Sequence, residues 1–182
     1  MIAIDFERTF NLLWGEIKHQ FSITEFNSPQ ITGDPILMRV IIKPHPDPLL
    51  PNVYNLAMGP SIGDTDIDDT VRLKHANSSK VFSTAILFAL IFLTEYPEMI
   101  IGLDGTDDLR ARLYHSMFIT NRETLFEYFQ TIGVDWYVKL LRNQIDIERN
   151  EEGIPFFKHR PEAFDYDRTR NDLYRYYMFE LK

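Results

Sequence analysis

The amino-acid sequence predicts an α+β domain, with one largely antiparallel sheet of about five strands and roughly three to four helices packed on it. Three observations carry that prediction. Short β-branched runs follow one another between residues 35 and 76 on links too short for crossovers, which suggests an antiparallel meander. Apolar residues then recur at helical spacing, most strongly from about 79 to 96. Finally, 182 residues that are 45% hydrophobic and 25% charged suffice for one proper core and are short for two. No internal repeat and no linker between two cores interrupts the chain, so residues 1–182 read as a single domain.

Taken in order, residues 5 to 21 place Phe6, Phe10, Leu13, Trp14, Ile17 and Phe21 at helical intervals and predict an amphipathic helix, despite Gly15. The Ser-, Asn- and Pro-rich segment to about 35 reads as loop with a short extended piece. "PILMRVIIKP" (35–44) is a strand bounded by prolines, "VYNLAMGPSI" (53–62) a second and "DTVRLKHA" (69–76) a third. The proline-rich "PHPDPLLPNV" between the first two forms neither helix nor central strand. Asn77, Ser78 and Ser79 offer N-caps to the long helix that closes at Tyr96 and Pro97. "EMIIGLDG" is a strand, and a helix starts after Gly105 and Thr106. Thr120 and Glu123 form a capping box for another helix, with an apolar face of Leu125, Phe126 and Phe129. "GVDWYVKLLRN" (133–143) and the closing "DLYRYYMFELK" read as strands, and the charged segment at about 146–172 as irregular.

Composition excludes several functions. A formal net charge of −8 opposes general nucleic-acid or anionic-membrane binding. The absence of cysteine removes disulfides, thiolate zinc sites and cysteine nucleophiles, and fits a reducing cytoplasm. The most apolar run, "AILFALIFL", is far shorter than the roughly 20 residues of a membrane helix and reads as a buried core helix. Five histidines show no i, i+4 pairing, and the acidic run "GDTDIDD" has Asp69 and His75 where a calcium loop needs Gly and Glu, so no metal is expected. Nucleophile-elbow, P-loop and dinucleotide glycine motifs are lacking, and no cofactor is expected.

The remaining chemistry lies in "GLDGTDDLRARLYHSMFITNRE" (102–123) and at the start of the long helix. At 100° per residue, Leu109, Leu113 and Met117 form one stripe, Arg110 and Tyr114 lie beside it, and Arg112 falls nearly opposite Arg110. Arg110 occupies the positive end of the helix dipole and calls for a negative neighbour. Asp107 and Asp108 supply one locally; a bound anion sharing free backbone N–H groups with Arg110 is the functional alternative. In that alternative the two helix N-termini share a crevice. Lys80 and Arg110 pair with a small anion such as a nucleotide or phosphorylated metabolite, Tyr114 stacks or donates, Arg112 or His115 meets a partner at the rim, and His75 lies nearby. The competing expectations are that these groups only cap and solvate, and that the 14% aromatics and the tail "LYRYYMF" form a homodimer or partner surface.

The run from His75 to Asn121 resembles a domain-of-unknown-function family found mainly in Bacteroidota. Its pattern reads N-N-G-D, K-V, a helix, Y-P and then G-S-T-x-A-R-T-R-L-Y. Lys80 and Val81, Tyr96 and Pro97, Gly105 and the block Arg110, Arg112, Leu113, Tyr114 match, and Asn121 matches a frequent Asn after the motif. Ser78 and Ser79 replace the Gly-Asp, and Asp107 replaces the Thr. The resemblance implies a small intracellular bacterial protein of unassigned activity and carries over no catalytic residues. A looser likeness in strand–helix order to acyl-CoA-dependent N-acetyltransferases lacks their pyrophosphate loop, since "KHANSSK" contains no glycine.

Overall fold

The computed structural model describes residues 2–47, 50–68, 71–105, 107–135, 141, 146–155, 161–169 and 171–182. Along the chain run β1 (Trp14–Glu16), β2 (Ser22–Ser28), β3 (Ile36–Pro44), β4 (Val53–Ile62), β5 (Asp66–Ile67), α1 (Ser78–Glu95), β6 (Ile100–Asp104), α2 (Asp108–Thr120), α3 (Arg122–Tyr128), β7 (Phe129–Val134), β8 (Glu162–Ala163) and β9 (Tyr176–Leu181). The strands form one sheet in the order β1-β2-β3-β4-β6-β9-β7-β8, with β5 added on the far end of β4. Pairing is antiparallel except between β4 and β6, where α1 carries the chain back so that Val53 lies opposite Ile100. The α+β class and largely antiparallel sheet are as expected; nine strands among the described residues replace about five.

The extra strands escaped the sequence pattern for a physical reason. β2 reads "SITEFNS" and buries every polar residue except Asn27: the Ser22 hydroxyl bonds the Lys18 carbonyl and the Thr24 hydroxyl the Trp14 carbonyl, while Glu25 pairs with Arg39. Burial satisfied by hydrogen bonds does not announce itself as hydrophobic alternation. β1, β5 and β8 are only two or three residues long.

The expected helix over residues 5–21 is absent. Phe6, Phe10, Leu12 and Ile17 do pack on the core, but from an irregular segment that ends in β1. Side chains on α1 and α2 supply the backbone partners that a helix would have supplied internally. Ala3 N–H donates to Ser79 Oγ at 3.0 Å, Ile4 N–H to Asn121 Oδ1 at 2.6 Å, Asp5 N–H to Ser83 Oγ at 2.9 Å and Phe10 N–H to Thr84 Oγ1 at 2.8 Å. Gly15, which weakens a helix interior by up to about 1 kcal/mol, sits in β1 against Thr24.

The expected third strand at 69–76 is also replaced. β5 lies earlier, and the described residues beyond it make only an isolated bridge between His75 and Gln30. Arg39 explains why: its guanidinium gathers the carbonyls of Ile62, Gly63 and Asp66, closing the turn early and putting a fixed cation inside the acidic run. From residue 136 the expected 133–143 strand lies outside the described residues apart from Leu141, while Gly133 and Val134 end β7.

One face of the sheet carries the helices and the main core. α1 is long and apolar enough, by length and composition alone, to cross a membrane; here it lies on the sheet with Val81, Ala85, Ile86, Phe88, Ala89, Phe92 and Leu93 buried. On α2 the expected Leu109–Leu113–Met117 stripe is corrected: Leu109 is 64% exposed, and the buried face is Ala111, His115, Met117 and Phe118. β6 delivers the chain so close that Ala111 takes the nearest approach, beside Gly105 and under the Tyr177 hydroxyl, which donates to its carbonyl.

Three tyrosines of the tail lie on three glycines. Side-chain atoms of Tyr174 fill the space a Cβ would take at Gly133, those of Tyr176 at Gly102 and those of Tyr177 at Gly105. All three rings are fully buried, and β9 runs between β6 and β7. The tail is therefore the middle of the sheet, which corrects the expectation of an aromatic surface or free edge.

Two stability outcomes follow from this packing. Asn121→Ala removes the acceptor for Ile4 N–H and the donor to the Ile2 and Met117 carbonyls, so urea denaturation is expected to show a loss of about 1–3 kcal/mol. Gly102→Ala drives a methyl into the Tyr176 ring, and the loss should again be about 1–3 kcal/mol.

Candidate functional site

The six residues proposed around the helix N-termini do not meet in one crevice. Residues 3 and 4 are hydrogen-bonded to Ser79 in the first turn of α1 and to Asn121 at the end of α2. The start of α1 therefore adjoins the finish of α2, whose own start is about 18 Å away along its axis. Asn77 caps α1 by accepting from Lys80 N–H at 2.9 Å, and the Lys80 ammonium lies 4.6 Å from the centroid of the Phe10 ring. His75 accepts from the Gln30 amide at 3.2 Å and meets Ser28 Oγ at 2.8 Å.

At α2, Asp107 accepts from Arg110 N–H at 2.8 Å and pairs with its guanidinium at 3.2 Å. Arg175 donates to Asp108 at 2.7 Å, which holds that carboxyl below its ordinary range. Arg110 and Tyr114 remain neighbours: burial pushes the Tyr114 hydroxyl up to about 12, with Arg110 opposing and Asp104 and Asp107 adding to the rise. Arg112 is exposed, and His115, expected at the rim, is 5% exposed beside Phe164. The internal acids thus already surround the α2 terminus, and three carboxylates there oppose an incoming anion.

A different constellation occupies the sheet face that carries no helix. Strand alternation puts Val53 and Asn55 of β4, Ile100, Gly102 and Asp104 of β6, and Tyr176 and Met178 of β9 on this side, because Tyr54, Ile101, Leu103, Tyr177 and Phe179 belong to the helix-side core. His45 extends the β3–β4 ladder through its N–H to the Val53 carbonyl at 2.7 Å, and Asn52 makes the preceding reversal in the left-handed region, φ 62°. With no side chain at Gly102, the Tyr176 ring crosses β6 and donates its hydroxyl to Asn55 Oδ1. The His45 ring stands edge-on to Tyr176 with centroids 5.8 Å apart.

His45 and Asn55 are 7% and 8% exposed. The Asp47 N–H donates to His45 Nδ1 at 3.1 Å, which leaves the proton of the neutral ring on Nε2. Asn55 Oδ1 is occupied by Tyr176, which leaves its amide N–H groups to point elsewhere. Among the described residues neither His45 Nε2 nor Asn55 Nδ2 has a hydrogen-bond partner. β3 adds Lys43, half-buried, directly opposite Asn55.

Comparison with known proteins places this site in context. A family model described as a family of unknown function (DUF6934) matches residues 16–150, most of the chain. The chain belongs to this family. No curated protein and no solved structure matches it. The expected membership of a family without assigned activity holds at that level, and the matched span contains β2 to β7, hence Lys43, His45, Asn55, Gly102 and Asp104; Tyr176 lies beyond it.

What this DUF6934 site offers is donors. Burial raises the Tyr176 hydroxyl well above its ordinary range and pushes His45 down to about 4, so both are neutral near pH 7. Sequence reading missed the site because each member has a plain local role: a His between prolines, an Asn inside an apolar strand, a Tyr in an aromatic tail. The one legible signal was Asn55, a polar side chain between Tyr54 and Leu56 in a strand otherwise fit for burial.

The buried histidines set a pH response. An unfolded histidine takes up a proton near pH 6.5, whereas burial holds His45 down to about 4 and lowers His75. Between those limits the unfolded chain binds more protons, so stability rises with pH and is lost on acidification. The His45 share is on the order of 3 kcal/mol. Urea melts from about pH 7 down to about pH 4 should show this slope, and His45→Gln should remove most of it, leaving the part due to His75.

Proposed function

We propose that the protein is a small-ligand-binding domain whose ligand presents oxygen acceptors, in the form of an anionic group, to His45 and Asn55 on the helix-free face, with Lys43 at the rim. One observation carries this reading: two donors, each on a side chain more than nine-tenths buried, lack an acceptor among the described residues. An unmade buried hydrogen bond costs about 1–3 kcal/mol, and a ligand oxygen recovers that energy on binding. Lys43, across from Asn55, adds the countercharge that favours an anion over a neutral carbonyl.

The reading keeps the small anionic ligand expected from the sequence and moves it away from the helix ends. Binding suits the site better than catalysis. His45 Nδ1 is committed to a backbone N–H and the Tyr176 hydroxyl to Asn55, so neither group is disposed to take a proton from a substrate.

Thermal unfolding with acetate, propionate, succinate and inorganic phosphate tests the proposal. A ligand at a hundred times its Kd should raise the Tm by about 5–10 °C and move the His45 Nε2–H resonance in an imidazole-labelled NMR spectrum. Asn55→Asp keeps the acceptor for Tyr176 but replaces the donor with an oxygen, and Lys43→Met removes the countercharge; each should abolish most of the rise. If no acid shifts either signal and only an ordered water bridges the two donors, the proposal is wrong.

A further inference from the structure

Resting on the ligand-binding reading above, we infer that the anionic group is the carboxylate of a small monocarboxylic acid and not the phosphate of a nucleotide or phosphorylated metabolite. Phosphate is recognised by free backbone N–H groups at helix starts or in nests, and by arginine forks. Among its described residues this face supplies neither. In a sheet the main-chain N–H groups lie between the strands, and only side chains stand off the face. The main-chain donors beside the site are already bonded. His45 N–H donates to the Val53 carbonyl at 2.7 Å, Ile100 N–H to the Asn52 carbonyl at 2.8 Å and Asp47 N–H to His45 Nδ1 at 3.1 Å. α1 and α2 pack on the opposite face. The arginine among the described strand residues of this face is Arg39. Its guanidinium is taken by Glu25, at 2.6 and 2.9 Å, and by the carbonyls of Ile62, Gly63 and Asp66.

What the face does supply fits a carboxylate. Two donors are sunk in it, His45 Nε2–H and the Asn55 amide, each on a side chain more than nine-tenths buried and without a partner among the described residues. Both side chains contact Tyr176, whose ring centroid lies 5.8 Å from that of His45 and whose hydroxyl bonds Asn55. A carboxylate presents two oxygens in one plane, one for each donor, on a group slender enough to reach below the surface. It carries a single charge, and Lys43, opposite Asn55, answers with a single ammonium. A phosphate monoester carries about two charges at pH 7 and three terminal oxygens in a pyramid. His45 does not balance the second charge, because burial holds it down to about 4 and the ring stays neutral. Desolvating that charge against neutral donors costs more than they return. The net charge of −8 adds to the cost.

The test varies the head group on one ethyl chain. Propionate is planar with one charge, ethanesulfonate pyramidal with one charge, and ethyl phosphate pyramidal with nearly two at about pH 7.5. NMR titration of the intact protein, followed at the His45 Nε2–H resonance, should give a Kd for propionate about tenfold or more below those of the other two, the worth of one charge-assisted hydrogen bond. Equal or tighter binding of ethanesulfonate or of ethyl phosphate overturns the inference and leaves the ligand-binding reading standing. Failure of all three to bind overturns both. In Lys43→Met the propionate Kd should rise about tenfold; an unchanged Kd in that folded variant overturns the charge balance on which the inference rests. The three-ligand comparison needs no variant should that one not fold.

Discussion

Everything on the helix-free face depends on a missing side chain. Because position 102 has no Cβ, the Tyr176 ring crosses the β6 backbone and ties β9 to β4 through Asn55. A strand pair that meets only through β6 thereby gains a direct side-chain link. Two further tyrosines of the same tail occupy the glycine positions 133 and 105, on the other side of the sheet for Tyr174 and Tyr177. A ring on a glycine fills the gap in the pleat and restrains the backbone where it is most free to move. The last strand is thus the wedge that fixes β6 and β7 beside each other.

This wedge also creates the polar anomaly. Tyr176 consumes the acceptor half of Asn55, while the reversal at Asn52 brings Asp47 N–H onto one nitrogen of His45. What remains on both side chains is of one kind, hydrogen to donate. Packing and chemistry are coupled here: the interactions that order the strands also decide which atoms are left over.

The parts of this fold legible in the sequence were those governed by local rules. The Asn77 cap, the apolar run of α1, the prolines around β3 and the turn at Gly105 all act within a few residues, and those elements formed where the pattern put them. Where distant partners decided, the pattern failed. Phe6, Phe10 and Ile17 keep helical spacing yet sit on an irregular segment because Ser79, Ser83, Thr84 and Asn121 offer it hydrogen bonds. Ser79, which the pattern offers as an N-cap of α1, holds the backbone of Ala3 instead, while Asn77 does the capping. Arg110 resolved toward its near acid Asp107, the simpler of its two readings. His45, Asn55 and Tyr176 become a site only through strand register, which single-sequence periodicity does not contain.

The strap formed by residues 2–10 has a consequence for biosynthesis. Its amides bond side chains 76, 117, 78 and 74 residues later in the chain. The backbone amides of this apolar stretch have none of these partners until α1 and, for Ile4, the end of α2 have been made. Until then Phe6 and Phe10 lack the helix and core surface on which they pack. Residues 2–10 therefore close onto the fold only after its central helices exist, and until then this stretch is open to chaperones or to misassociation.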